Sequence, residues 1–302
     1  MGRRFDHLGD VEAFMMVIEQ GSMTKAAVTL ATTPSILSRA ITRLESRLGV
    51  QLLRRTTRRL HLTDAGQRYL VQTRAAFDLI VEAEDALQGE DGIESVNGRV
   101  RMSVPTTYGH HRLPPMLAKF TETFPQVQLE LSIINRNVDL IAEGYDLAIR
   151  LGPLPSSGLA ARKLEDAPLR LVAAPGYLAK SGQPEMISEL TEHRLLAFTM
   201  PSTGRLAPWL LRTGREVVEW LPEGRISVFD DVLGCVSLAE QGIGICQSYD
   251  FVVRDHIERG TLVEVLPKTA GATRPFSIIF ATHRHLPSAT RKLIDFLVQE
   301  TR

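Results

Sequence analysis

Between Ser35 and Leu48 the apolar residues Leu37, Ile41, Leu44 and Leu48 recur at steps of four, three and four, the stripe of a helix laid against a core. Ser35, Ser38, Arg39, Thr42, Arg43, Ser46 and Arg47 face elsewhere. Thr33 suits the N-cap, and Pro34 the first helical position, where a missing N–H costs nothing, so this helix should start sharply. Upstream, Ser22 can cap a shorter helix whose Ala26, Ala27 and Leu30 allow two helices to cross closely over a short turn. Gly49 supplies a C-terminal stop. Leu52 to Leu62 then reads as two short apolar-alternating runs around a basic polar centre, a hairpin with a cationic tip. The pattern predicts a helix-turn-helix followed by a wing.

Further on, Leu70, Thr73, Phe77, Ile80, Glu84 and Leu87 fall at alternating three- and four-residue steps, an imperfect a/d seam. Such a helix docks either on its own domain or on a partner helix. Gly89-Glu90-Asp91-Gly92 and Asn97-Gly98 break it and mark a hinge. From Arg99 onward strands and helices alternate, the sign of an α/β domain with a mostly parallel sheet. Strands are expected near Val100–Val104, Val127–Ile133, Leu147–Arg150, Leu169–Ala174, Leu195–Phe198, Ile243–Gln247 and Phe276–Ala281, and helices near Leu113–Phe124, Val138–Glu143 and Asp231–Gln241, with one more at the end.

Charge sharpens the first module. The 302 residues are formally neutral, yet residues 25 to 59 carry eight lysines and arginines against Glu45 alone. A basic stripe on an otherwise neutral chain is an electrostatic footprint for phosphates. Ser35, Ser38, Arg39, Thr42 and Arg43, with Thr33 and Pro34 at the helix start, are placed to meet bases or adjacent phosphates in a major groove, and Arg54, Arg55, Arg58 and Arg59 to grip the backbone or minor groove.

Candidate chemistry elsewhere is sparse. Cys235 and Cys246 are the only cysteines, too few for a disulfide framework and without zinc-type spacing; they read as core residues, with a redox pair as the alternative. His110-His111 and His283-x-His285 lack matching acid or cysteine ligands, so no metal and no cofactor is expected. Gly242-x-Gly244 lacks the rest of a dinucleotide fingerprint. No catalytic constellation stands out. The first residues lack a signal-peptide core, and no apolar run approaches the roughly 18 residues of a membrane helix, so a cytoplasmic, non-membrane protein is expected.

Ala13-Phe14, Gly21-Ser22, Ala26-Ala27, Thr33-Pro34-Ser35, Leu37-Ser38-Arg39, Leu44-Glu45, Leu48-Gly49-Val50, Leu52, Arg55-Thr56 and Leu62-Thr63-Asp64-Ala65-Gly66 resemble the winged helix-turn-helix of LysR-type transcriptional regulators. Asp146 to Arg150, Leu171 to Pro175 and Gln241 to Ile245 are similar to that family's effector domain. The resemblance implies an α/β protein overall. An all-α-rich winged helix-turn-helix domain (1–64) is followed by a linker and dimerisation helix with its hinge (65–97), then a two-subdomain domain like a periplasmic binding protein (98–302). Subdomain I would comprise 98–165 and 269–302, and subdomain II 166–268. It implies double-stranded promoter DNA, further copies of the chain in a dimer of dimers, RNA polymerase and a small aromatic or carboxylic effector as partners. The competing reading is a metabolite-binding protein or enzyme whose N-terminal domain serves oligomerisation alone.

Ligands of open α/β sheets sit beyond the carboxyl ends of strands. There the chain offers Thr106 and Thr107, Arg150, Thr199, Met200 and Ser202, Phe229, and Gln247 with Ser248. The hydroxyls can hold a carboxylate or carbonyl, and Phe229 and Met200 can give apolar contact. The same hydroxyls also suit helix caps, and Arg150 suits a structural ion pair, so both roles stay open.

Overall fold

The computed structural model describes residues 5–55, 60–88, 96–152, 159–281 and 286–301. The chain divides into two compact units, Met1–Glu90 with Ile141–Gly144, and Asp91–Leu140 with Tyr145–Arg302.

In the first unit, α1 (Leu8–Gln20), α2 (Met23–Thr29) and α3 (Pro34–Leu48) pack around Phe14, Val17, Ala26, Ala27, Leu37, Ile41 and Leu44. Both predicted caps are present: the Ser22 hydroxyl accepts from Lys25 N at 3.5 Å and Thr33 Oγ1 from Ile36 N at 3.4 Å. Gly49 closes α3 at φ +69°, a left-handed conformation that costs glycine little. The inward stripe differs at its end. Ala40 is buried, whereas Leu48, the last residue of α3 before Gly49, is 37% exposed.

The hairpin follows as β1 (Leu53–Arg55) and β2 (Leu60–Leu62), antiparallel with Leu53 opposite Leu62 and Arg54 opposite His61. Glu45 fastens it to α3: one carboxylate oxygen accepts from Leu52 N at 2.8 Å and Leu53 N at 3.0 Å. Thr63 Oγ1 then accepts from Gly66 N at 2.9 Å at the start of α4 (Asp64–Gln88). Leu70 is buried and Tyr69 and Phe77 pack on the same core, while Leu79, Ile80 and Val81 lie exposed. The seam therefore splits. Its first half docks on its own domain, while Ile80 beyond it is exposed, with Leu79 and Val81 exposed on either side of it.

In the second unit, β3 (Gly98–Val104) lies between parallel neighbours β4 (Val127–Ile133) and β5 (Leu147–Leu151). Two helices, α5 (Thr106–His111) and α6 (Leu113–Thr123), connect β3 to β4. The fifteen-residue β6 (Leu159–Ala173) is read in the sequence only at its end. Helix α7 (Pro175–Ser181) follows it. Then come β7 (Leu196–Thr199), the hairpin β8 (Trp209–Thr213) and β9 (Glu216–Trp220), and β10 (Ile226–Phe229), which pairs in parallel with β7. The rest is α8 (Leu233–Glu240), β11 (Cys246–Tyr249), α9 (Asp250–Glu258), β12 (Val263–Val265), β13 (Thr273–Ala281) and α10 (Ser288–Glu300).

The sheet is mixed rather than mostly parallel. β13 runs antiparallel to β5 and to the first part of β6, and β11 and β12 run antiparallel to the last part of β6. Long β6 and β13 pass between strand groups, and a strand that passes across and returns pairs antiparallel. The expected helix at Val138–Glu143 is instead a series of turns, closed by Tyr145 N on Leu140 O at 2.9 Å. Gly144 at φ +72° ends it too early for a helix to propagate.

Candidate functional site

On α3, Thr33, Pro34, Ser35, Arg39, Thr42 and Arg43 are exposed and Ser38 is half-buried. Ser35, Arg39, Thr42 and Ser46 follow one another at helical steps on the side away from the core. Arg43 stands apart. Its Nη2 and Nε reach Asp10 of α1 at 2.5 and 3.2 Å, and the Asp10 carboxylate holds the guanidinium above its ordinary pKa. Arg47 likewise pairs with Asp6 at 3.2 Å. Part of the basic surplus between residues 25 and 59 is thus answered by acids upstream of that window. Thr42 Oγ1 donates back to Ser38 O at 2.9 Å. Arg54 is exposed on β1; the Arg55 side chain and Arg58 and Arg59 lie outside the described residues.

The second site is a cavity of about 550 Å³ in the α/β unit, at the ends of the strands. Pro105 and Thr107 follow β3, Ile134 and Asn135 follow β4, Leu151 ends β5, and Met200 and Ser202 follow β7. Its walls are mainly apolar, with Val138, Leu159, Leu169, Phe198, Trp209 and Ile279 among them, the composition of a small-molecule site. Among the described residues lining it, the charged ones are Arg150 and Arg274, and none is a carboxylate.

Of the residues proposed from sequence, Thr107, Arg150, Met200, Ser202, Gln247 and Ser248 line this cavity. Three do not. Phe198 and Met200 face it, so Thr199 between them turns to the other side, where it is buried. Phe229 stands in register with Thr199 on β10, shares that other side and is 65% exposed. Thr106 is spent on a network: its hydroxyl donates to Asp231 Oδ1 at 2.9 Å and accepts from Asn135 Nδ2 at 2.9 Å, and its N–H donates to Asn135 Oδ1 at 3.0 Å.

Arg150 and Gln247 line the cavity with their polar atoms largely engaged. Arg150 donates to Ser103 Oγ and Ile149 O at 2.8 Å, and Gln247 clamps the backbone of Leu210 through both amide atoms at 2.9 Å. Sequence reasoning passed over Arg274, a lone cation in an otherwise apolar strand pattern, and Asn135, which follows a strand it had placed correctly. Cys235 and Cys246 are both buried and unbridged. Burial pushes the Cys235 thiol up to about 12 and Cys246 well above its ordinary range, the opposite of a reactive thiolate.

A helix-turn-helix with a hairpin beside it, joined in one chain to a mixed α/β unit with a strand-end cavity, is the arrangement that the comparisons identify. Residues 8–67 match the bacterial regulatory helix-turn-helix protein, lysR family, and residues 94–302 match the LysR substrate binding domain. The chain belongs to the LysR family of transcriptional regulators. Among its LysR-type relatives is the HTH-type transcriptional regulator CrgA of Neisseria meningitidis serogroup C (strain 8013), 34% identical over 96% of both chains. The solved CrgA structure from that species covers 97% of this chain and 98% of its own, at 33% identity and a TM-score of 0.62. The full-length Vibrio cholerae virulence activator AphB covers 98% and 99% at 29% identity and a TM-score of 0.59. LysR membership makes the protein a DNA-binding regulator and sets aside the enzyme reading. Among the described residues no helix is long and apolar enough to cross a membrane.

Proposed function

We propose that this LysR-type regulator binds operator DNA through α3 and the hairpin and that a small effector in the strand-end cavity modulates that binding. The observation that carries the reading is the cavity itself: about 550 Å³, mostly apolar, with few polar groups, in the unit matching the family's substrate-binding domain. Ser35, Ser38, Arg39 and Thr42 are the side chains proposed for base or phosphate contact, with Thr33, Pro34 and Arg43 at the margins and Arg54, Arg55, Arg58 and Arg59 on the backbone. Thr107, Arg150, Met200, Ser202 and Gln247 are proposed for the effector, a small aromatic or carboxylic compound. The proposed division is 1–64 for DNA, 65–97 for the connector and 98–302 for the effector.

Exposed Leu79, Ile80 and Val81 on α4 support self-association through this helix, as a dimer whose two DNA modules address half-sites about one helical turn or a multiple apart. A dimer of dimers and contact with RNA polymerase extend the same proposal. Ile80→Asp should lower the solution mass measured by light scattering and weaken operator binding while the α/β unit keeps its unfolding transition. The central test is a competitive gel shift of the full chain on its own upstream region, with and without small acids. Equal affinity for that region and for random duplex would overturn sequence-specific binding.

A further inference from the structure

We propose that the cavity takes a small, largely apolar monocarboxylate carrying a second hydrogen-bonding group, with Arg274 as the carboxylate's counter-ion and Ser248 as partner of the second group. The inference rests on the cavity being the effector site and names the ligand's chemistry.

Arg274 lies on β13, half-buried in the cavity wall. Its one hydrogen bond among the described residues runs from Nη2 to Pro208 O at 2.6 Å, and no carboxylate there pairs with it. A guanidinium has five N–H donors, so most remain to be used. Withdrawing a cation from water without a counter-ion is costly. The surrounding wall is mainly apolar, and the one other charged residue among the described residues lining it, Arg150, is also positive. A ligand carboxylate supplies what the site lacks and can meet the guanidinium's fork in two parallel bonds.

Ser248 lies on β11, on the opposite side of β6 from β13. It lines the same cavity, is 3% exposed, and its hydroxyl has no hydrogen-bond partner among the described residues. Buried hydroxyls are normally satisfied, and each exception asks for a missing partner. Because Ser248 and Arg274 sit on separate strands, one compact carboxylate need not serve both. An apolar body with a carboxylate at one end and a hydroxyl or carbonyl at the other matches them.

The test uses the full-length protein and calorimetric titration with benzoate, 4-hydroxybenzoate, 3-phenylpropanoate and 3-(4-hydroxyphenyl)propanoate, each beside its primary amide. Acids should bind about tenfold or more tighter than their amides, as expected for loss of a charge-assisted pair. Arg274→Met should bring that ratio close to one, and Arg274→Lys should keep part of it, which a merely structural arginine would not do. Ser248→Ala should erase the advantage of the hydroxylated acid over its parent and leave the acid-to-amide ratio alone. Amides that bind as well as acids, or an unchanged ratio in Arg274→Met, overturn the inference while the effector-cavity reading stands. If neither acids nor amides bind, both fall together. Should Arg274→Met fail to fold, Arg274→Lys and the wild-type ratio decide.

Discussion

Arg39 and Arg43 lie four residues apart on α3 and meet different surroundings. Arg43 is tied to Asp10 at 2.5 Å, whereas among the described residues no carboxylate engages Arg39, which stands exposed on the side away from the core. Arg39→Ala is therefore predicted to lose about 1–3 kcal/mol of operator preference over random duplex, while Arg54→Ala on the hairpin should weaken both alike and flatten the dependence on salt. Gel-shift competitions over a potassium chloride series separate the two; equal losses on both duplexes for Arg39→Ala would remove it from base readout. Cysteine makes a second prediction at this scale. Burial lifts Cys235 to about 12 and Cys246 in the same direction, while an unfolded thiol ionises near ~8.5. Since folding raises these values, the unfolded state loses its protons first as pH rises. The stability they contribute is complete below about pH 8.5 and declines above it, by up to about 1.4 kcal/mol per pH unit for each thiol. Urea midpoints should fall between pH 8.5 and 9.5, and Cys235→Ala should lessen the slope.

At the scale of elements, α4 depends on one residue near its start. A Cβ on Gly66 would overlap the Leu52 carbonyl oxygen and crowd its carbon at 2.9 Å, and that obstacle is backbone held by Thr63 N on Leu52 O at 2.9 Å. Gly66→Ala should cost about 1–3 kcal/mol or more, as overpacking does, and appear as a lowered melting transition of the N-terminal unit in calorimetry. Nothing in the periodicity of residues 64–88 shows this requirement, because it arises from the hairpin crossing the helix. The same distinction governs what was legible elsewhere. α3, its cap and stop, and the hairpin follow from local rules and appear where the pattern put them. α1 has its inward positions at Val11, Phe14 and Val17, yet no sharp start signal, since His7 makes no side-chain cap. The first ten residues of β6 alternate too weakly to announce a strand, being held by pairing with β13, distant in sequence. The cavity was legible as a set of strand ends, but which side chains face it was decided by strand alternation, which excluded Thr199 and Phe229 and admitted Arg274.

For the whole molecule, an effector regulates only if it binds two states with different affinity. A hydrogen-bond network around Thr106 lies beside the cavity. Thr106 begins α5 and Asp231 precedes α8, residues 125 apart in sequence, and their side chains bond directly. Asn135 adds a bond to Asp230 O at 2.6 Å, and Asp230 itself sits at φ +63°, a left-handed conformation that is sparsely populated outside glycine and tolerated best by Asp and Asn. Asn135 and Val232, next to this network, line the cavity, so the bonds join two of its walls. Thr106→Val would leave Asp231 and Asn135 each short of a partner, at a cost of about 1–3 kcal/mol, and would free the two walls to separate. The variant should bind a cavity ligand several-fold more weakly, because the population competent to bind falls by that factor, and its operator footprint should respond only at correspondingly higher ligand concentration. Footprinting of the full chain across a titration with the acid that binds best reads both effects. A footprint unchanged by saturating ligand in the wild-type protein would mean that occupancy of this cavity is not coupled to DNA, however tightly the ligand is held.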